Sequence, residues 1–173
     1  MAGHSHWKQI KQQKGTADKK RAALFSKLLA AISVAARSDP NPQFNPRLKT
    51  TIETAHANQV PNDNIERAIA RASQADGLEE LLIEAYGPEG VALLIEAITP
   101  SRNRTVSELR HLLEEHEARM AEPGSVRWAF ERSPDGWRPK FPHPASPGGK
   151  EKLAALISEL DGRDDIQRVI TNG

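Results

Sequence analysis

The first half of the chain carries apolar residues at helical spacing. They recur three and four positions apart between residues 24 and 36, which predicts a helix over Asp18–Arg37. Asn45 followed by Pro46 predicts the start of a second helix, with asparagine as the N-cap and proline at the first helical position. A third helix is expected to start near Pro61. Residues 18–73 are therefore expected to form a small three-helix unit.

The second half shows the shorter apolar runs and turn signals of a sheet domain. Its predicted elements, in chain order, are strands Leu81–Tyr86 and Val91–Thr99, helix Ser101–Arg119, strands Ser125–Glu131 and Trp137–Phe141, helix Lys150–Leu160 and strand Ile166–Thr171. From residue 91 this order is β-α-β-β-α-β, which is typical of a ferredoxin-like, split β-α-β arrangement. The predicted class is α+β: a basic arm and three-helix domain over 1–75, then a ferredoxin-like domain with one extra strand over 76–173.

Within that domain, residues 125–131 alternate between large apolar and other side chains. Val126, Trp128 and Phe130 occupy one set of positions. Because successive side chains of a strand point to opposite faces, the alternation predicts a half-buried strand with these three residues inward.

Charge divides the chain at the same boundary. Residues 1–75 contain 12 Lys and Arg against 5 Asp and Glu, a net charge of +7, whereas residues 76–173 contain 12 against 18, a net charge of −6. The first 16 residues are polar, cannot build a core, and are expected to form an arm that orders on a partner or packs lightly on the helices. Such asymmetry indicates a polyanionic partner for the first half.

Composition excludes several classes of protein and site. The chain has no cysteine, which removes disulfides and thiolate chemistry and suits a reducing, cytoplasmic location. Its apolar runs are too short to cross a bilayer, so no membrane partner is expected. No set of residues supplies a nucleophile, a base and an oxyanion donor together, and no His, Asp and Glu spacing suits a metal. We therefore expect neither enzymatic activity nor a cofactor or metal.

The arm and the helix after it supply the candidate nucleic-acid contacts. Lysine predominates over arginine there, which favours contact with phosphates over bidentate reading of bases. Trp7, with His4 and His6, offers a surface on which an unpaired base can stack. The candidate cations of the first half are Lys8, Lys11, Lys14, Lys19, Lys20, Arg21, Lys27 and Arg47. The alternative is a solvated basic face without a ligand.

Two further candidates, Arg102 and Arg104, lie where the helix over 101–119 is expected to begin. Thr105 and Glu108 have the spacing of a capping box. Two guanidinium groups beside the free N–H groups of a helix N-terminus could bind a phosphate. A capped helix start with exposed arginines is the competing interpretation. No recognition helix for the major groove can be identified.

Several motifs in order resemble the YebC/PmpR family. They are Met1-Ala-Gly-His-Ser-His-Trp7, Asn45-Pro-Arg-Leu, Val60-Pro, Ile65-Glu-Arg-Ala-Ile69, Tyr86-Gly-Pro-Glu-Gly-Val91, Asn103-Arg-Thr-Val106 and Gly124-Ser-Val-Arg-Trp-Ala-Phe130. The resemblance implies a bacterial transcriptional regulator that binds DNA. Mitochondrial relatives are translational activators, and a ribosome-associated role is assigned to bacterial members as well.

Members of the resembled family contain a third domain, and this sequence departs from them in that region. Family members are longer and insert that domain after the strand matching residues 128–130. Here a short turn and a Pro-rich connector occupy residues 133–149, so the third domain is expected to be absent. Three functions stay open: a DNA-binding transcriptional regulator, a ribosome-associated translation factor that binds rRNA through the arm, and a protein–protein adaptor that uses the acidic α+β domain.

Overall fold

The computed structural model of the chain describes residues 3–72, 77–134 and 136–173, and over residues 3–14 it describes the backbone alone. Its elements are helices α1 (Gly3–Ala35), α2 (Pro46–Ala57) and α3 (Asn62–Arg71), strands β1 (Glu79–Tyr86) and β2 (Ala92–Thr99), helix α4 (Arg102–Glu115), strands β3 (Arg119–Met120), β4 (Phe130–Ser133) and β5 (Gly136–Pro139), helix α5 (Pro147–Asp161) and strand β6 (Ile166–Thr171). Helices followed by an antiparallel sheet confirm the predicted α+β class. None of the described helices combines the length and apolar content needed to cross a membrane.

The chain forms two compact units, Met1–Ser73 and Gln74–Gly173. The core of the first unit is where α1, α2 and α3 meet. Ile32, Leu48 and Ile65 contribute one buried side chain from each helix. Among the described side chains of α1, the packed stripe begins with Phe25 and Leu28. The three-helix packing agrees with the helical period read from the sequence.

The expected arm is not a separate segment. Residues 3–16 belong to α1, which runs for 33 residues without interruption. The prediction of a boundary near Asp18 was therefore wrong. No proline occurs before residue 40 to stop the helix, and Gly15 alone costs only about 1 kcal/mol relative to alanine.

Asn45 joins the end of α1 to the start of α2. Its Oδ1 accepts a hydrogen bond from the Leu48 N–H at 3.0 Å, which caps α2 as predicted. Its Nδ2 donates to the carbonyl oxygens of Ala35 and Asp39, both at 2.7 Å. One buried amide therefore satisfies backbone groups at two helix ends that would otherwise lack partners.

The second unit is built on a four-stranded sheet of order β3-β1-β2-β6 in which all neighbours are antiparallel. Strands β2 and β3 are connected through α4 and lie on either side of β1, which makes a split β-α-β unit. Strand β1, the extra strand of the prediction, is the middle strand of this unit. Strands β4 and β5 pair only with each other, as a separate hairpin.

The two faces of this sheet bury alternate residues against different elements. Leu93 and Ile95 lie in the core shared with α4 and α5. Ala92 and Leu94 lie in a second core, together with Val126 and Trp137 from the segment around the hairpin. The sheet is therefore covered on both faces, which explains the nearly continuous apolar composition of β2.

Three predictions about local structure in this unit were wrong. Helix α4 ends at Glu115 and not at Arg119, which instead begins the short strand β3. Thr105 does not cap α4, because Ser101 is the N-cap and Thr105 lies one turn inside the helix. Residues 127–129 form a 3₁₀ turn, so the predicted strand Ser125–Glu131 begins only at Phe130, and Trp128 points away from the core.

Candidate nucleic-acid interface

Helix α1 contains most of the predicted contacts in one continuous helix. It contains seven Lys and Arg and one acid, Asp18, over 33 residues. At a rise of about 1.5 Å per residue the helix is about 50 Å long. Lys19 and Lys20 are exposed, and Lys27 is half-buried. The two exposed ammonium groups precede the packed stripe and are free to meet a phosphate backbone.

The first six candidates share the backbone of α1. Their side chains lie outside the residues that the structure describes, so their roles stay predictions. They are His4, His6, Trp7, Lys8, Lys11 and Lys14. Their positions within a helix, rather than in an extended arm, change the expected spacing: residues three or four apart share a face.

Arg21 is held against the first unit. Its Nη2 donates to Gln59 Oε1 at 3.3 Å, and its guanidinium carbon lies 5.3 Å from the centroid of the Phe25 ring. The hydrogen bond to Gln59 connects α1 to the loop between α2 and α3, whereas Phe25 belongs to α1 itself. Arg47 is exposed in the first turn of α2. The first unit therefore holds every candidate residue up to Arg47.

Arg102 and Arg104 belong to the second unit, at the N-terminus of α4. Arg102 is exposed, but the guanidinium of Arg104 donates to Asp165 Oδ2 at 2.9 Å. The same oxygen accepts hydrogen bonds from the Thr105 hydroxyl at 2.6 Å and the Thr99 hydroxyl at 3.2 Å. The place that the sequence suggested for a phosphate is next to the protein's own carboxylate.

The pKa of Asp165 shows how firmly that carboxylate is held. Burial acts to raise the pKa, yet the hydrogen bonds from Thr105 and Arg104 and the positive charge of Arg104 outweigh it, so the pKa lies below its ordinary value of 3.8. An ionised Asp165 repels a phosphate and neutralises Arg104. We therefore leave Arg104 out of the proposed interface.

Sequence reasoning missed Glu84, a buried carboxylate in the middle of β1. Its oxygens accept hydrogen bonds from the backbone N–H groups of Gly124, Val126 and Arg127 at 2.6, 2.8 and 3.0 Å. The Arg127 guanidinium adds two more, at 3.1 and 3.2 Å. This carboxylate fixes the turn that presents Trp128. The sequence feature that could have identified Glu84 is the presence of an acid within the apolar run Leu81–Tyr86.

Comparisons with known proteins agree with this architecture. Residues 5–75 match the family model described as the TACO1/YebC protein N-terminal domain, and residues 78–134 match the model described as the TACO1/YebC second and third domain. The chain is similar, at 30% identity and a TM-score of 0.83, to the crystal structure of a conserved hypothetical protein from Aquifex aeolicus, covering 88% of this chain and 90% of that one.

Curated relatives carry one recurring name, "probable transcriptional regulatory protein". One from Aquifex aeolicus is 43% identical over 171 residues, and one from Chloroherpeton thalassium is 46% identical over 171 residues. In both cases the match covers 96% of this chain and 66% of the relative. A third, from Chlorobium phaeobacteroides, is 38% identical over 95% of this chain and 68% of its own length. The chain thus spans about two thirds of the length of these relatives.

These matches establish that the chain belongs to the TACO1/YebC family, which confirms the resemblance seen in its motifs. The second family model matches up to residue 134, beside the segment where a short connector was expected in place of a third domain. The absence of that domain, like the division at residue 75, stays a prediction.

Proposed function

We propose that this protein is a non-enzymatic, nucleic-acid-binding regulator of gene expression that contacts phosphates through α1. The observation that carries the proposal is the exposure of Lys19 and Lys20 on a helix with seven cations and one acid. Each phosphate neutralised by a lysine releases condensed counterions, so such a surface gains affinity without reading sequence. The names of the relatives support a regulator.

Transcriptional control through duplex DNA is the first candidate, because the relatives are named for it. A ribosome-associated role with rRNA is the second, and it is favoured because α3 does not have the exposed cations expected of a recognition helix. The exposed cations of α3 are few, and Arg67 is turned back onto its own helix. It donates to the Asp63 carbonyl and to Asn64 Oδ1, both at 3.0 Å.

A protein adaptor is the third candidate, supported by the net charge of −6 on residues 76–173. An acidic domain suits a basic protein partner, and that partner could in turn be a component of a nucleic-acid complex. In this case the protein would be recruited through its second unit, and the lysines of α1 would contribute little to binding.

The test is the salt dependence of binding for a double charge reversal, Lys19→Glu with Lys20→Glu. Fluorescence anisotropy would measure affinity for a duplex DNA and for a structured rRNA fragment over a series of salt concentrations. If both lysines contact phosphates, the slope of log affinity against log salt becomes shallower by about 0.7 to 0.9 per lost contact. The matched control, Arg110→Glu with Lys150→Glu, makes the same charge change at exposed positions of the second unit.

The outcomes separate the three candidates. A larger loss of affinity in the α1 variant than in the control supports the proposal. The probe that the wild type binds more tightly indicates whether the target is DNA or rRNA. Sedimentation of the tagged protein with ribosomal particles, lost on charge reversal, assigns the translational role. Equal slopes in the wild type, the α1 variant and the control would leave the adaptor as the function.

A further inference from the structure

Two aromatic side chains of the second unit lie exposed beside each other. Trp128 is 60% exposed and Phe141 is 49% exposed, and their ring centroids are 6.0 Å apart with an interplanar angle of 35°. Phe130 and Trp137, close by in sequence, are buried. A contiguous exposed aromatic surface on a folded domain marks a binding site more often than a packing defect.

Hydrogen bonds hold the Trp128 side chain and the backbone of Phe141 before any ligand arrives. The Trp128 indole N–H donates to the Ser125 carbonyl at 2.9 Å. On the other side, the Phe141 carbonyl accepts from Asn172 Nδ2 at 2.8 Å, and the Phe141 N–H donates to the Ala129 carbonyl at 3.3 Å. Because these contacts fix both segments, a ligand that lands on the rings pays little to order them.

A lysine lies beside the pair, in a segment that is locally basic although the unit as a whole is acidic. Lys140 Nζ lies 5.2 Å from the centroid of the Phe141 ring. The Arg127 side chain is 46% exposed but is paired with the buried Glu84, so, like Arg104, it is left out of the proposed contacts. Residues 127–140 contain four Lys and Arg against two acids, in a half of the chain with a net charge of −6. One of those acids, Glu131, is paired with Arg138.

We propose that Trp128 and Phe141 form a stacking platform for an unpaired base of single-stranded nucleic acid, with Lys140 beside its phosphates. An aromatic face with adjacent cations has the chemistry that single-strand binding proteins use. The two rings already contact each other, so the base stacks on the free face of Trp128 and not between them. A basic protein segment is disfavoured, because it would meet like charge.

The platform rests on the proposed function only because both take nucleic acid as the partner. The residues of the platform belong to the second unit, whereas α1 belongs to the first. It adds a specificity that α1 does not supply. Lysines along a helix attract any phosphate backbone, paired or unpaired, whereas stacking requires a base that is not already paired. The protein is therefore expected to prefer single strands or loops over a continuous duplex.

The experiment compares two probes with the full chain: a 12-nucleotide RNA without self-pairing and a 12-base-pair duplex DNA. Since stacking of one base is removed, W128A is expected to bind the single strand about 5- to 100-fold more weakly and the duplex with little change. W128F keeps a ring and retains most of the affinity. The control F44A removes another exposed aromatic side chain, 74% exposed and in the first unit, and leaves both affinities unchanged.

A second measurement places the base directly. The same RNA carrying 4-thiouridine is crosslinked by light to the wild-type chain, and the modified peptides are identified by mass spectrometry. A crosslink at residues 125–132 or 138–143, reduced in W128A, supports the platform. Crosslinks confined to the first unit refute it.

Failure of the platform differs from failure of the proposed function. Unchanged single-strand binding in both W128A and F141A overturns the platform while leaving the role of α1 intact. If these variants instead change the sedimentation of the free protein, the rings form a protein contact and the platform is again refuted. A wild-type chain that binds neither probe, or an affinity unaffected by reversing Lys19 and Lys20, refutes the proposed function itself.

Discussion

Replacing Glu84 by glutamine tests whether one buried carboxylate organises the turn that carries Trp128. The substitution keeps the shape and removes the charge. In the wild type, Oε2 accepts the N–H groups of Val126 and Arg127, and Oε1 accepts the Gly124 N–H and the Arg127 guanidinium. A glutamine amide has one oxygen, so its NH₂ group must face donors on one side.

The expected destabilisation follows from the donors left without an acceptor. With the amide nitrogen at the Oε2 position, two backbone N–H groups lose their partner, at about 1 to 3 kcal/mol for each buried one. Arg127 is about half exposed, so loss of its ion pair adds at most about 1 kcal/mol. Some relaxation of the turn offsets these costs. We expect E84Q to lower the free energy of unfolding of the second unit by about 3 kcal/mol.

Urea unfolding at neutral pH gives that free energy, and hydrogen exchange with mass spectrometry shows where the structure loosens. Exchange at residues 124–127 should accelerate in E84Q. The control is E79Q, the same substitution at the exposed first residue of β1, which should change stability by less than about 0.5 kcal/mol. A loss below about 1 kcal/mol for E84Q, or unchanged exchange at residues 124–127, would show that the carboxylate does not hold the turn.

Two other predictions concern a helix junction and acid stability. Asn45→Ala should destabilise the first unit by about 2 kcal/mol, because a buried N-cap and its amide donors are lost. Asn45→Ser keeps the N-cap and should destabilise the unit less. Urea unfolding of both variants measures the two losses, and equal losses would contradict the capping role. Burial opposes ionisation of Glu84 and Asp165, but the hydrogen bonds to the two carboxylates outweigh it. The pKa of Glu84 therefore lies below its ordinary value of 4.5, and that of Asp165 below 3.8. Their stabilisation is therefore complete above those values and is lost as the pH falls through the lower, folded-state values, so stability measured below pH 4.5 should fall less steeply in E84Q than in the wild type.

The sequence was a reliable guide wherever local chemistry decides the structure. Asn45-Pro46 places the start of α2 correctly, because capping and proline geometry act within one turn. Strands β1, β2 and β6 lie where apolar runs predict them, and the bounds of β6 match at Ile166–Thr171. The α+β class follows from these elements alone.

Interactions between distant residues account for the main failures. The alternation over residues 125–131 suits a strand, but Glu84, about 40 positions earlier, binds three N–H groups there and stabilises a tight turn instead. The result exposes Trp128, which the period-two pattern had placed in the core. Arg104 meets Asp165 from 61 positions away, and that pairing cannot be read from a helix N-terminus. The positive charge of α1 could be predicted from the sequence because charge composition needs no tertiary contact, and the role of its lysines stays a prediction.

The uninterrupted α1 ties binding and helix formation to one equilibrium. Seven cations along one helix repel each other, and a phosphate strand that neutralises them removes that repulsion and stabilises the helical state. Gly15 lies within this stretch, with open space where a side chain would be, and lowers the cost of unwinding the residues around it. If α1 binds a phosphate strand as proposed, the affinity includes the free energy of keeping α1 helical, and a change that unwinds its first turns should weaken binding even if every lysine is kept.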